Sequence, residues 1–137
     1  DGIDSKIYLL GNPFIYWLSA LAVIFLCLSL IARANFIKKN LETSLFLLAG
    51  YFMNLLPFIF IGRVMFLYHY FSALIFAIII MVLVTDEIAV TERTKRNMFI
   101  SLIVLCFVAF IFFTPLSYGL PMTEKAQHLR FWFPSWI

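Results

Sequence analysis

Charge is scarce in this sequence. Asp, Glu, Lys and Arg make up 12% of its 137 residues, roughly half of what a soluble domain uses to cover its surface. A water-soluble domain is thereby excluded. Cysteine is nearly absent. Cys27 and Cys106 fall near the middle of two different apolar stretches, where a thiol acts as a small packing residue, and no spacing of Cys, His or carboxylates suits a metal ion. Repeats, low-complexity stretches and Gly/Ser-rich linkers are missing, as are a Ser-His-Asp set and a phosphate-binding loop. No cofactor is expected. The net charge of +3 is too modest to suggest nucleic acid as a partner. The first residue is Asp1 rather than Met, and no basic start followed by a cleavage site is present. The chain therefore reads as an excerpt from a longer protein.

What fills the sequence instead is apolar: 64% of the residues, with a mean hydropathy of +1.03. They come in blocks long enough to cross a hydrocarbon core of about 30 Å. The expectation is an all-α membrane protein, residues 1–137 forming one bundle of four transmembrane helices plus a short interfacial C-terminal helix. The first span covers about 13–32, with Asn12 as N-cap, Pro13 in the first helical position, and Tyr16 and Trp17 at the interface. From Ser44 to Val84 the sequence is almost unbroken apolar; one helix of that length would measure about 60 Å, twice the core. A hairpin turning at Gly62-Arg63 resolves this, with spans at about 44–61 and 64–84. Pro57 frees the Met53 carbonyl for a neighbouring donor, while Ala73 and Ala77 mark a close helix crossing. After a polar linker at 85–97, the fourth span covers about 98–114 and stops before Pro115.

In the tail, 115–137, Thr123 can cap a helix on which Leu129, Trp132, Phe133 and Trp136 follow at i, i+3, i+4, i+7. This predicts an interfacial helix ending at Pro134. It either anchors the end of the bundle or covers the mouth of a site. Six of the ten basic residues (Arg33, Lys38, Lys39, Arg93, Lys95 and Arg96) lie in the two linkers. The positive-inside rule then places both linkers in the cytoplasm, and the N-terminus, the Gly62-Arg63 turn and the tail on the other side.

The hairpin carries the chemistry-bearing residues. Arg63 begins a helix whose N-terminus is already partly positive. A bound anion would relieve that, because free N–H groups and a guanidinium would converge on it; otherwise Arg63 snorkels into head groups. His69 falls in the second turn, about 9 Å deeper, where a histidine is either a satisfied interhelical residue or part of a site. Asn54 faces the same choice between interhelical glue and ligand. Acid–base catalysis would need a carboxylate on this side, and only Asp1, Asp4 and Glu124 qualify, all in terminal segments. The segment is not a complete enzyme.

These residues carry a family resemblance. Lys6-Ile7-Tyr8-Leu9-Leu10-Gly11-Asn12-Pro13, leading into a span with Trp17, is similar to the start of the C-terminal membrane region of protein O-mannosyltransferases. The hairpin Leu56-Pro57-Phe58 … Gly62-Arg63 … Met65-Phe66-Leu67-Tyr68-His69-Tyr70 resembles that family's most distinctive membrane motif. Pro115-Leu116 … Tyr118-Gly119-Leu120-Pro121, then Trp132 … Ser135-Trp136, is similar to its closing segment. The resemblance covers essentially the whole chain, in order. It implies part of a GT-C-type glycosyltransferase membrane core that moves mannose from a polyprenyl- or dolichyl-phosphate carrier to Ser or Thr of secretory proteins, by inversion and without metal.

The family's catalytic acidic pair lies in its first extracytoplasmic loop, so no catalytic residue is assigned here. Arg63 is the expected lipid-phosphate contact, with His69, Tyr68 and Asn54 behind it. The implied partners are the lipid-linked donor, the acceptor protein, membrane lipids and the N-terminal part of the same enzyme, with room for a dimer. The family has bacterial members and endoplasmic-reticulum members, the latter with a lumenal β-trefoil upstream. A tail reaching Trp136-Ile137 without a retention signal leans towards a bacterial plasma membrane. Two other readings stay open: a non-catalytic four-helix scaffold subunit, and part of a transporter with Arg63 and His69 on its path. The latter would want an internal repeat, and none is visible.

Overall fold

The computed structural model describes residues 11–33, 40–60 and 67–132, apart from the side chains of Leu67, Tyr68 and Glu124. Four helices are long and apolar enough to cross a membrane: α1 (Pro13–Ile31), α2 (Leu41–Ile59), α3 (Phe71–Ile88) and α4 (Glu92–Tyr118). A 3₁₀ turn (Leu67–Tyr70) leads into α3, and a short helix α5 (Glu124–His128) follows α4. No strand is found among the described residues. An all-α, four-span membrane fold is what hydropathy predicted.

Local chemistry sets several of the ends. The Asn12 carboxamide oxygen accepts from the N–H groups of Phe14 (3.1 Å) and Ile15 (3.5 Å), and Pro13 opens the helix. Several boundaries differ from expectation, among them those of α2, which runs Leu41–Ile59 rather than about 44–61. The α-helix of the third span is described from Phe71, where a start at Val64 was expected; residues 61–66 lie outside the described residues. The 3₁₀ turn Leu67–Tyr70 leads into it, and Tyr70 stands at the N-cap without a side-chain capping bond. His69 consequently lies on that turn and not one turn inside a helix.

The fourth helix runs 27 residues, Glu92–Tyr118, instead of 98–114. Thr91 caps it by accepting from the Thr94 N–H (3.2 Å), and Glu92 suits the dipole of the first turn. The polar residues 92–97 therefore belong to the helix and do not precede it. Pro115 does not stop α4: the helix runs through it, and two side-chain donors reach carbonyls of the turn before it. The Arg130 Nε–H donates to the Phe112 carbonyl (2.8 Å) and the Thr114 hydroxyl to that of Phe110 (2.6 Å). The helix ends at Gly119, whose φ of 64° is the left-handed cap geometry that glycine adopts freely. The interfacial helix is also shorter than expected. Thr123 caps it, accepting from Ala126 (3.4 Å), but α5 ends at His128. Arg130 donates back to the Ala126 carbonyl (2.7 Å) and to α4, which turns the chain out of the helix. The expected positions Phe133, Pro134 and Trp136 lie outside the described residues.

α3 is the central helix, packed against α1 on one side and α2 on the other. Its Ala73, Ala77 and Ile80 are fully buried. They form one stripe within a cluster that includes Ala22, Val23 and Leu26 of α1 and Leu47, Leu48 and Tyr51 of α2. In lipid no hydrophobic force drives helices together, so close backbone approach at small residues supplies the van der Waals contact instead. Gly50 serves the same end. A Cβ there would lie 2.3 Å from the Phe76 ring. Buried hydroxyls bond to their own helices, as Ser19 does to the Tyr16 carbonyl (3.2 Å) and Thr85 to that of Met81 (2.7 Å).

The two ends of the bundle differ in chemistry. At one, Asn40 hydrogen-bonds Glu87 and Lys95 pairs with Asp86, which gathers the start of α2, the end of α3 and the start of α4. At the other, aromatic side chains from α1, α2, the 3₁₀ turn, α4 and the tail meet.

Candidate functional site

The α2–α3 hairpin holds the residues singled out above. Arg63 and the Tyr68 side chain lie outside the described residues. Asn54 is half-buried on α2, its amide donating to the Gly50 carbonyl (2.8 Å). That is one turn before the Met53 carbonyl whose helical donor Pro57 removes. Phe58 lies one turn beyond Asn54 on the same helix face, and the His69 ring rests edge-on against it with centroids 5.2 Å apart. The hairpin thus brings Asn54 and His69 to one side of α2.

Next to His69, Tyr70 joins three helices. Its hydroxyl is 3.2 Å from that of Tyr51 on α2, and its ring lies 5.7 Å from Tyr16 on α1. Burial, then the hydrogen bond with Tyr51, push the Tyr70 hydroxyl above its ordinary pKa, so it stays protonated. This tyrosine set ties the 3₁₀ turn to the rest of the aromatic end.

A second aromatic group closes the neighbouring side. Trp132 of the tail meets Phe14 edge-on (6.2 Å), Trp17 (5.9 Å) and Phe113 (4.9 Å). Beside it the Arg130 guanidinium lies 4.9 Å over the Phe112 ring while donating to the Phe112 carbonyl. Sequence reasoning gave Arg130 no role. The usable signal was a cation in an aromatic tail, where a guanidinium can stack on a ring.

Two hollows lie along α4. A cup of about 310 Å³ is bounded by Gly11, Asn12, Phe110, Phe113, Ser117 and Tyr118. A longer groove of about 600 Å³ runs between the start of α1, α3 and α4, lined by aliphatic, aromatic and sulfur-bearing side chains with Asn12 at one end. Asn12 and Phe110 belong to both. Asn12 is held rigidly there: its oxygen caps α1 while its amide donates to the Cys106 carbonyl of α4 (2.8 Å).

These features describe a four-helix membrane bundle with an aromatic end and an apolar groove along α4. Residues 1–136 match the C-terminal four TMM region of protein-O-mannosyltransferase, and the chain belongs to that family. It is 32% identical, over 99% of its length, to dolichyl-phosphate-mannose–protein mannosyltransferase 5 of Candida albicans, of which it covers 21%. To protein O-mannosyl-transferase 2 of Danio rerio it is 29% identical over 97% of the chain, covering 21% of that protein. To the polyprenol-phosphate-mannose–protein mannosyltransferase of Corynebacterium glutamicum it is 29% identical over 95% of the chain, covering 25%. The chain thus spans about a fifth to a quarter of these relatives' lengths. They come from a fungus, an animal and a bacterium, so they lend no support to the bacterial preference drawn from the tail. No solved structure matches the chain.

Proposed function

We propose that this chain is the C-terminal membrane part of an enzyme that moves mannose from a polyprenyl- or dolichyl-phosphate carrier to Ser or Thr of an acceptor protein. The match over residues 1–136 to the mannosyltransferase family carries this reading. The chain works against the N-terminal part of the same protein, which supplies the catalytic carboxylates. Its own contribution is to the lipid-phosphate pocket. Arg63 contacts the phosphate, while His69, Tyr68 and Asn54 stand behind it on the hairpin. The packing of His69 on Phe58, one turn from Asn54, supports a shared location for two of these four residues. A guanidinium is suited to the task because its planar fork matches a phosphate oxygen pair. Both linkers face the cytoplasm, which puts the aromatic end and this pocket on the opposite side of the membrane.

The test is Arg63→Ala in the full-length protein, assayed for mannose transfer from the lipid-linked donor. Transfer falls, and the apparent donor affinity weakens by about tenfold or more, as expected for loss of a charge-assisted hydrogen bond of roughly 1.5–3 kcal/mol. Normal folding with unchanged donor dependence would remove Arg63 from the pocket.

A further inference from the structure

The 3₁₀ turn that leads into α3 is gripped from outside. Tyr70 closes it without a side-chain capping bond, so local capping does not fix where the turn sits. Side chains of α1 and α2 reach it instead. On α2, Tyr51 and Phe58 stand about two helical turns apart, which puts them on one face and about 10 Å apart along the axis. Two successive residues of the turn take one each. The His69 ring packs on Phe58, with centroids 5.2 Å apart, and the Tyr70 hydroxyl lies 3.2 Å from that of Tyr51. From α1, the Tyr16 ring lies 5.7 Å from the Tyr70 ring. Gly11 leaves room for it, since a Cβ there would stand 2.3 Å from the Tyr16 ring.

The hydroxyl pair is the directional part of this grip. Tyr51 is buried in the cluster formed by α1, α2 and α3, and there its hydroxyl meets that of Tyr70. A hydrogen bond weakens steeply once its geometry is lost, and a buried hydroxyl left alone bears its full desolvation cost. The pair therefore sets the turn at one depth along α2. With Tyr70 fixed, the adjacent His69 is held against Phe58.

We infer that Tyr51 and Tyr70, backed by the Tyr16 ring, are positioning residues, whose hydroxyl bond holds the 3₁₀ turn so that His69 is in place for the phosphate of the lipid-linked donor. This rests on the proposed function, which puts His69 in the donor pocket. It adds to that pocket residues of α1 and α2 that act through the turn and not by contact with the donor.

The experiment uses the full-length protein in mixed micelles, with Tyr51→Phe, Tyr70→Phe and the double variant, which keep both rings and remove one or both hydroxyls. In either single variant the apparent KM for the lipid-linked donor should rise about fivefold, the equivalent of a hydrogen bond of about 1 kcal/mol. The kcat at saturating donor should stay as in the wild type, as expected when binding and not the chemical step is affected. The double variant should be no worse than the single ones, because the pair acts as a unit. An unchanged donor KM overturns the inference. So does a fall in kcat that tracks lost global stability, as for residues that only hold the bundle together, and so do losses that multiply in the double variant. The second readout needs no activity. Amide hydrogen exchange across residues 67–72 should be about fivefold faster in Tyr51→Phe, with exchange in α4 unchanged; unaltered exchange of that segment also overturns the inference. If the wild-type protein transfers no mannose from the lipid-linked donor, the proposed function fails and takes the donor role of the turn with it. The exchange measurement separates that failure from a hydroxyl pair that does not hold the turn.

Discussion

Replacing Ala77 with leucine tests whether close approach at α3 holds this bundle together. Ala77 has no exposed surface, and neither has Ala73 one turn earlier. The stripe they form packs in the cluster with Ala22 and Leu26 on one side and Leu47 and Tyr51 on the other. A leucine adds three carbons where no space exists, so either α1 or α2 must move away from α3 or the side chain must leave its rotamer. Overpacking of this kind costs about 1–3 kcal/mol per site. The loss is felt in full, because dispersion contacts, not water exclusion, carry the association in lipid. The control is Ala77→Ser. A serine is nearly isosteric, and its hydroxyl can return to the carbonyl one turn back, as Thr85 does to Met81 (2.7 Å), at a cost of less than about 0.5 kcal/mol. Reversible unfolding in mixed micelles of the full-length protein measures both. Ala77→Leu is expected to be less stable than Ala77→Ser by about 1–3 kcal/mol. Equal stability of the two variants would refute the reasoning, and with it the view that the α3 stripe sets the helix spacing.

Two further outcomes are expected. Gly50→Val should clash with Phe76, whose ring lies 2.3 Å from where the new Cβ would stand, and destabilise by about 1–3 kcal/mol; in a double-mutant cycle, Phe76→Ala should recover part of that loss, and strict additivity would count against the contact. Arg130→Gln removes the charged donor to Phe112 and Ala126, at about 1.5–3 kcal/mol. Limited proteolysis should then cut the 120–130 segment faster, Arg130→Lys should not restore protection because a lysine lacks the guanidinium fork, and unaltered cleavage would mean that Trp132 alone holds the tail.

The sequence reading was right where the physics is local and missed where a distant partner intervenes. Hydropathy over about twenty residues, together with Asn12-Pro13 and Thr123 as caps, sufficed for the number of spans and for two helix starts. Pro115 shows the limit. The helix continues through it, and the Arg130 donor that reaches the Phe112 carbonyl from fifteen positions beyond the proline was not legible in the sequence. The start of α3 shows another, since the 3₁₀ turn that carries His69 into it has no signature in the hydropathy of the hairpin. Of the four hairpin candidates, Asn54 bonds the Gly50 carbonyl and His69 packs on Phe58, while Arg63 and the Tyr68 side chain fall outside the described residues.

By itself, then, the sequence determined that this is a four-span membrane bundle with one polar-linked end and one aromatic end. Burial of apolar runs in lipid and satisfaction of helix termini depend only on neighbouring residues. Tertiary structure alone decided that Asn12 meets Cys106, 94 positions away, that Trp132 returns to Phe14 and Trp17, and that α1, α3 and α4 leave a groove between them. Those are outcomes of how helices cross. Crossing is set by small residues on facing helices, and no single stretch of sequence contains both faces.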